Sequence, residues 1–235
     1  MKTPNSIICM IILMLALNMT IYSQNDFRGL TWGMSIADVK KTETAPISKE
    51  DKNLVGAKGN INGTDLYYDG YLLFYDNVTV AGKNANLIYK FDNGKLVHIK
   101  VFFQPALYGY EGTVGDIIMR FDKLFNILSE KGFKVDMPLQ CGSDAYMGSY
   151  YSNPKNKKIL ENKELWSISK EVCDIIDEMI SEKKYEAAFL RIKNERSRGL
   201  VEFYSPYSEY RKLRPVVMEL SPSYEIEKGI EKSDF

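Results

Sequence analysis

Two alternating runs meet across Asp92, Asn93 and Gly94, and that meeting constrains the fold more than any other stretch of the chain. Residues 86–91 read NLIYKF and residues 97–103 read VHIKVFF, each with the period of two that marks a half-buried strand. A two-residue turn over Asn93 and Gly94 would set Leu87, Tyr89 and Phe91 beside His98 and Lys100, dividing the apolar residues between two faces. A three-residue loop does better: a type I turn over Asp92 and Asn93, with Gly94 left-handed in a bulge, gathers Leu87, Tyr89, Phe91, Val97, Ile99, Val101 and Phe103 on one face. That is the expected register, and it leaves Lys90, His98 and Lys100 facing outward.

The buried face needs a cover, and helix signals supply it. Thr113 is an N-cap with Asp116 three residues on, opening a helix from Val114 to Lys131. Ile117, Phe121, Leu124 and Leu128, joined by Ile118 and Phe125, make one broad apolar stripe at the 3.6 period, and Gly132 is a natural C-cap. Ser35 and Asp38 repeat the cap chemistry ahead of a first helix, with Met34 and Val39 at the staple positions and Trp32 as a large anchor beneath. A third periodic block runs from Leu165 to Ile180.

Between these, Leu66 to Tyr75 and Val78 to Val80 read as strands. So do the segments around Ala188, Leu190 and Ile192, around Val201 and Phe203, and around Val216, Met218 and Leu220. Ala45 to Gly63 reads as a polar loop and Met137 to Lys158 as a loop holding at most one strand. The order predicts an α+β fold, an antiparallel sheet with helices packed on one face. Its doubled cap signals allow two tandem helix-plus-strands subdomains, 24–112 and 113–222, the second with an inserted helix, followed by a loose tail at 223–235.

Residues 1–23 carry Lys2, then eleven apolar residues from Ile7 to Leu17, then a small and polar stretch ending at Ser23. This is the pattern of a secretory signal peptide, too short for the roughly 20 residues of a membrane span. The expectation is an exported protein, periplasmic or secreted, soluble once the leader is cleaved and with no stable membrane insertion. Removing the leader takes one base and no acid, leaving 30 basic against 31 acidic side chains. That balance carries no field drawing the chain to nucleic acid.

The opening stretch FRGLTWGMSIADV, with Trp32, Gly33, Ser35, Asp38 and Val39, resembles the entry motif of small exported bacterial proteins that begin with a "WG-x-S-x-x-E-V" helix start. The helix-then-strands layout is similar to the β-lactamase inhibitor protein fold and the related outer-membrane assembly lipoproteins. The resemblance implies a non-catalytic role in binding another exported protein or supporting the envelope. It departs in one respect, since no lipid-anchoring cysteine follows the leader.

Catalysis is hard to build from the remaining inventory. A serine or cysteine nucleophile would need the single histidine, His98, which the register places on the outward face beside two lysines. Asp65, Asp69, Asp76 and Glu111 leave a carboxylate pair formally open. No phosphate loop, dinucleotide fingerprint or metal motif occurs, so no cofactor is expected. Cys141 and Cys173 can pair in an oxidising compartment.

The unusual feature is tyrosine, sixteen in all. Tyr108 and Tyr110 fall in one loop, Tyr146, Tyr150 and Tyr151 in another, and Tyr207 and Tyr210 run into Arg211. Tyrosine offers wide amphipathic contact at low entropy cost, which suits protein interfaces and sugar stacking. Three readings follow: a binding or assembly module that recognises another exported protein through these loops, a binder of cell-envelope glycan or peptidoglycan using the same tyrosines, and a carboxylate-based hydrolase.

Overall fold

The computed structural model describes residues 26–61, 64–104, 112–142, 170–212 and 215–232. Residues 1–23, read above as a leader, therefore lie outside the described residues. In chain order the elements are α1 (Ile36–Thr42), β1 (Lys49–Ile61), β2 (Thr64–Val80), β3 (Lys83–Asp92), β4 (Lys95–Phe103), α2 (Val114–Met119), α3 (Asp122–Glu130), β5 (Lys134–Gly142), α4 (Lys170–Lys183), β6 (Ala187–Lys193), β7 (Ser197–Tyr204), a 3-10 turn (Glu209–Lys212), β8 (Val216–Pro222) and α5 (Tyr224–Lys232).

The strands form one antiparallel sheet in the order β1-β2-β3-β4-β8-β7-β6-β5. Each half contributes a capped helix and four antiparallel strands, and the last strands of the two halves join at the centre. There Ile99 pairs with Leu220, Val101 with Met218 and Phe103 with Val216. The alternation read from the sequence decides which face is covered. Leu87, Tyr89, Ile99, Val101, Leu190, Val201 and Met218 all point into one continuous core, which Val39, Ile117, Phe121 and Ile176 of the helices close from above. Helices on one face of an antiparallel α+β sheet are what the sequence leads one to expect.

The opposite face is not simply wet. Leu72, Phe74, Ile88, Phe102, Phe189, Tyr204 and Val217 form a second, smaller buried cluster there. His98 and Lys100 share this face, and the Lys100 ammonium lies 5.3 Å from the centre of the Phe102 ring.

The hairpin turn differs from the expected one. Asn93 and Gly94 both have positive φ (47° and 73°), and Asp92 pairs directly with Lys95, so the turn is the two-residue type I′ form. The extra residue that restores the apolar register sits inside the strand instead. Phe91 faces Leu96 and Lys90 faces His98, with a bulge at Val97 between them. Leu96 is therefore buried in place of Val97, while the rest of the expected face is as read.

Three other segments correct the expectation. Much of the stretch read as a loop from Ala45 to Gly63 is β1, a polar strand at the sheet edge whose register shifts twice against β2. An edge strand makes a single ladder and suits lysines and irregularity, so it lacks the alternating apolar signature. The helix expected from Val114 to Lys131 is broken at Arg120 and Phe121, where the amide of Phe121 turns to the carbonyl of Ile118 (3.0 Å). The break swings Phe121 between Phe103 and Phe203, with ring centres 4.9 and 6.1 Å away. Residues 134–142 form β5 at the other edge, the one strand that the reading of Met137 to Lys158 allowed.

The tail is not loose. Residues 224–232 form α5, held by the Ser223 amide on the Arg196 carbonyl (2.7 Å), by an Arg198–Glu227 ion pair (2.8 Å), and by Ile226 and Ile230 against the core.

Both helix starts are capped as read. The Thr113 hydroxyl accepts from the Asp116 amide (3.2 Å) while the Asp116 carboxylate accepts from the Thr113 amide (2.8 Å), a complete capping box. The Ser35 hydroxyl likewise accepts from the Asp38 amide (3.2 Å), though here the Asp38 carboxylate takes the hydroxyl proton of Ser35 itself (2.6 Å). Gly132 ends α3 at φ 73°. Its amide reaches the Ser129 carbonyl (2.8 Å) and the Phe133 amide the Leu128 carbonyl (3.0 Å), the paired bonds of a Schellman motif.

Trp32 is an anchor with an added bond. It is buried, and its indole N–H donates to the Ser197 hydroxyl (2.8 Å) across the sheet.

Candidate functional site

β7 ends at Tyr204, and the chain must cross about ten residues before β8 begins. The crossing is pinned where it leaves the sheet. The Ser205 amide donates to the Glu186 carbonyl (2.7 Å) and its hydroxyl to the Tyr185 carbonyl (2.5 Å). That hydroxyl oxygen in turn accepts from the Tyr207 amide (3.2 Å), and the Ser208 amide closes on the Ser205 carbonyl (3.1 Å). Ser205 and Ser208 are buried, yet Tyr207 between them is 47% exposed. The local sequence explains this: two serines satisfy the turning backbone, and Pro206 restricts it.

Downstream, the Arg211 guanidinium donates to the carbonyl of Gly112, the residue just before the Thr113 cap. Burial pushes the Arg211 pKa down; Asp177 and Asp116 oppose this and Arg120 adds to it. Arg211 thus stands within the field of the α2 start and of α4. These two helices meet closely. The Gly115 amide donates to the Asp177 carboxylate (2.8 Å), and a Cβ on Gly115 would lie 2.7 Å from that of Cys173.

Of the tyrosine-bearing stretches, Tyr207 and Arg211 are thereby placed at one end of the molecule, beside the start of α2. Tyr210 lies in the 3-10 turn between them. Tyr108, Tyr110, Tyr146, Tyr150 and Tyr151 lie outside the described residues.

Cys141 and Cys173 are free thiols, correcting the pairing considered above. Cys141 sits on β5 opposite Ala188, while Cys173 is directed at Gly115 of α2. Burial, reinforced by the Asp177 charge, pushes the Cys141 thiol up to about 12 and the Cys173 thiol to about 11. These are packed core thiols, poor nucleophiles.

His98 is not the solvated histidine its neighbours in sequence imply. Its Nδ1 lies 2.9 Å from the Ser221 hydroxyl, and its Nε2 lies 3.6 Å from Glu219, both on β8. Sequence reasoning had no means of finding these two, because the β4–β8 pairing joins residues more than a hundred apart. The trio has the residue types of a hydrolytic triad but the opposite wiring: in a triad the serine meets Nε2 and the acid meets Nδ1. Glu219 is also ion-paired to Lys100. Burial lowers the His98 pKa, an effect that the Glu219 charge opposes and Lys100 and Lys90 reinforce.

The groove around His98, about 280 Å³, also takes in Asp136, Arg191 and Arg198. Asp136 pairs with Lys193 and Arg198 with Glu227, so its charges belong largely to structural ion pairs. Among the described residues no group of three His, Cys, Asp or Glu side chains is placed to hold a metal ion, and no helix is long and apolar enough to cross a membrane. Compared with known proteins, the chain matches no family model, no curated sequence and no solved structure.

Proposed function

We propose that this chain is an exported, non-catalytic binding module that recognises another exported protein through the loop carrying Tyr207 and Arg211. The observation that supports it is the exposure of Tyr207 on a segment whose backbone is already fixed by Ser205, Ser208 and the Arg211–Gly112 bond. An aromatic residue on a backbone fixed before binding loses less entropy on association than one on a loose loop, and Tyr and Arg are among the residues that most often dominate interface energy. The groups that nucleophilic chemistry would recruit are committed elsewhere, His98 to Ser221 and Glu219, and both thiols to the core.

The reading is tested by immobilising the leader-free protein and passing an exported-protein fraction over it. Wild type retains a discrete partner, and Tyr207→Ala and Arg211→Ala each weaken its retention at least tenfold. Retention unchanged in both variants, or no protein retained, counts against it. Sedimentation with insoluble peptidoglycan, lost in Tyr207→Ala and without any protein partner, would replace it with the glycan reading.

A further inference from the structure

Strands β1 and β2 run on past the rest of the sheet. β3 pairs with β2 only from Tyr71 to Val80, so β2 loses that neighbour at Gly70. Among the described residues, 64–70 of β2 pair with 54–61 of β1 and with no other strand. Gly70 marks the departure: its φ is 98°, and a Cβ there would lie 2.5 Å from the Phe91 carbonyl oxygen. At about 3.3 Å per residue, the arm beyond it is roughly 23 Å long. It leaves level with Phe91 and Leu96, at the end of β4 away from Phe103 and Val216. The Tyr207 loop lies at that other end, as do Gln104 and Gly142, where the chain passes out of the described residues.

A two-stranded ribbon is marginal in water, and the two edges of this one are treated differently. β1 carries Lys49, Lys52 and Lys58, and both of its register shifts put an extra residue on β1. Lysines and bulges are devices that keep an edge from pairing. Over residues 64–70 β2 has neither. The sequence TDLYYDG holds no lysine or proline, its adjacent tyrosines favour a strand, and its pairing is unbroken from Tyr68 to Thr64. One edge of the arm is closed and the other is left open to a further strand.

A second copy does not fit that place. The two-fold register that pairs all of residues 64–70 is centred on Tyr67 and sets Asp65 opposite Asp69 twice, and like charges directly opposite are destabilising. β2 against the β1 of another copy is a head-to-tail contact that does not close. On the β1 side Lys58 stands opposite Tyr67, so the arm sets one base beside two acids.

We infer that residues 64–70 take up an extended segment of a different protein as an added strand, with bases opposite Asp65 and Asp69 and apolar side chains opposite Leu66 and Tyr68. Main-chain hydrogen bonds supply the binding, and alternate side chains select the sequence. The arm is separate from the Tyr207 loop and stands or falls independently of it.

The test titrates the leader-free protein into the fluorescein-labelled peptide TRVTVRT, which sets an arginine opposite each aspartate in either strand direction. Anisotropy reads the binding and hydrogen exchange locates it. The peptide binds saturably and slows exchange at residues 64–70. The peptide TEVTVET binds at least tenfold more weakly, and TRVTVRT methylated at its backbone nitrogens does not bind. Asp65→Asn with Asp69→Asn removes the preference for arginine over glutamate. Leu66→Lys with Tyr68→Lys gives β2 the lysines of β1 and weakens TRVTVRT at least tenfold. A thermal melt like that of wild type shows that each variant is folded.

No saturable binding of TRVTVRT, equal binding of TEVTVET or of the methylated peptide, or slowed exchange confined to residues outside 64–70 each overturns the inference. So does a dimer in sedimentation velocity that Leu66→Lys with Tyr68→Lys dissociates, because it assigns the open edge to a second copy.

Discussion

The two halves of the chain follow one plan, a capped helix and four antiparallel strands, yet they are fastened by different physics. In the first half α1 has seven residues and buries only Val39. Such a helix cannot hold a sheet by apolar contact, and the entry segment does the fastening with polar bonds. Glu43 accepts two bonds from Arg28 (2.9 Å each), one from the Tyr89 hydroxyl (2.7 Å) and one from the Ala45 amide (3.2 Å). Asp26 and Trp32 then reach across to Arg196 and Ser197 of the second half.

In the second half α2, α3 and α4 present a continuous apolar surface, and Phe121 packs edge-on between Phe103 and Phe203. The lesson concerns where a loop can be left exposed. The half that relies on its helices leaves the β7–β8 loop free to hold Tyr207 outward, whereas the half that relies on its leading segment uses that segment up in structure.

The comparison is broken most severely at Phe121. Phe121→Ala removes the ring that links β4 of one half to β7 of the other and leaves a cavity, at a cost of about 3–5 kcal/mol. Urea denaturation should show the midpoint falling in a single transition for both halves.

Glu43→Ala comes next, at about 2–3 kcal/mol, below the roughly 3–5 of a fully enclosed pair because Arg28 is partly exposed. This loss carries a pH signature. Burial pushes the Glu43 carboxyl up, but the bonds from Arg28, Tyr89 and the Ala45 amide outweigh it and bring the pKa below its ordinary 4.5. The stabilisation is therefore complete above pH 4.5 and lost as pH falls below it. The gap between wild type and Glu43→Ala should narrow in acid, while the gap for Phe121→Ala should not.

These contrasts also show what the sequence exposes and what it hides. Caps are local, four residues long, and both were legible at Ser35 and Thr113. The inward faces of β3, β4 and β6 to β8 were legible because burial on one side imposes alternation. The bulge at Val97 was not, because Asn and Gly both tolerate the left-handed region and the chain can absorb an extra residue either in the turn or beyond it. β1 was hidden by its place at an edge, where pairing needs no apolar pattern. The Tyr207 loop was legible as composition, but its rigidity comes from Ser205 meeting Tyr185 and Glu186 in the connection between α4 and β6, and the Ser221–His98–Glu219 contact arises only when β4 meets β8. Residues that touch through sheet pairing at long separation leave no local trace.

A smaller effect sharpens the comparison. Thr113→Ala removes one arm of the capping box and should cost about 1 kcal/mol by denaturation, whether or not a partner is bound. The smallest is Tyr207→Ala, an exposed substitution expected to lie within about 0.5 kcal/mol of wild type. It should change the proposed recognition and leave the fold alone.

That separation leads to the decisive measurement. A photocrosslinking phenylalanine derivative is placed at Tyr207 in one protein and at Tyr224, itself 59% exposed on α5, in another. Both are irradiated in the exported fraction and the adducts are read by mass spectrometry. A single discrete protein adduct from position 207, absent from position 224, is the result predicted here. No adduct at 207, or the same set of adducts at both positions, would contradict the assignment of recognition to the Tyr207 loop.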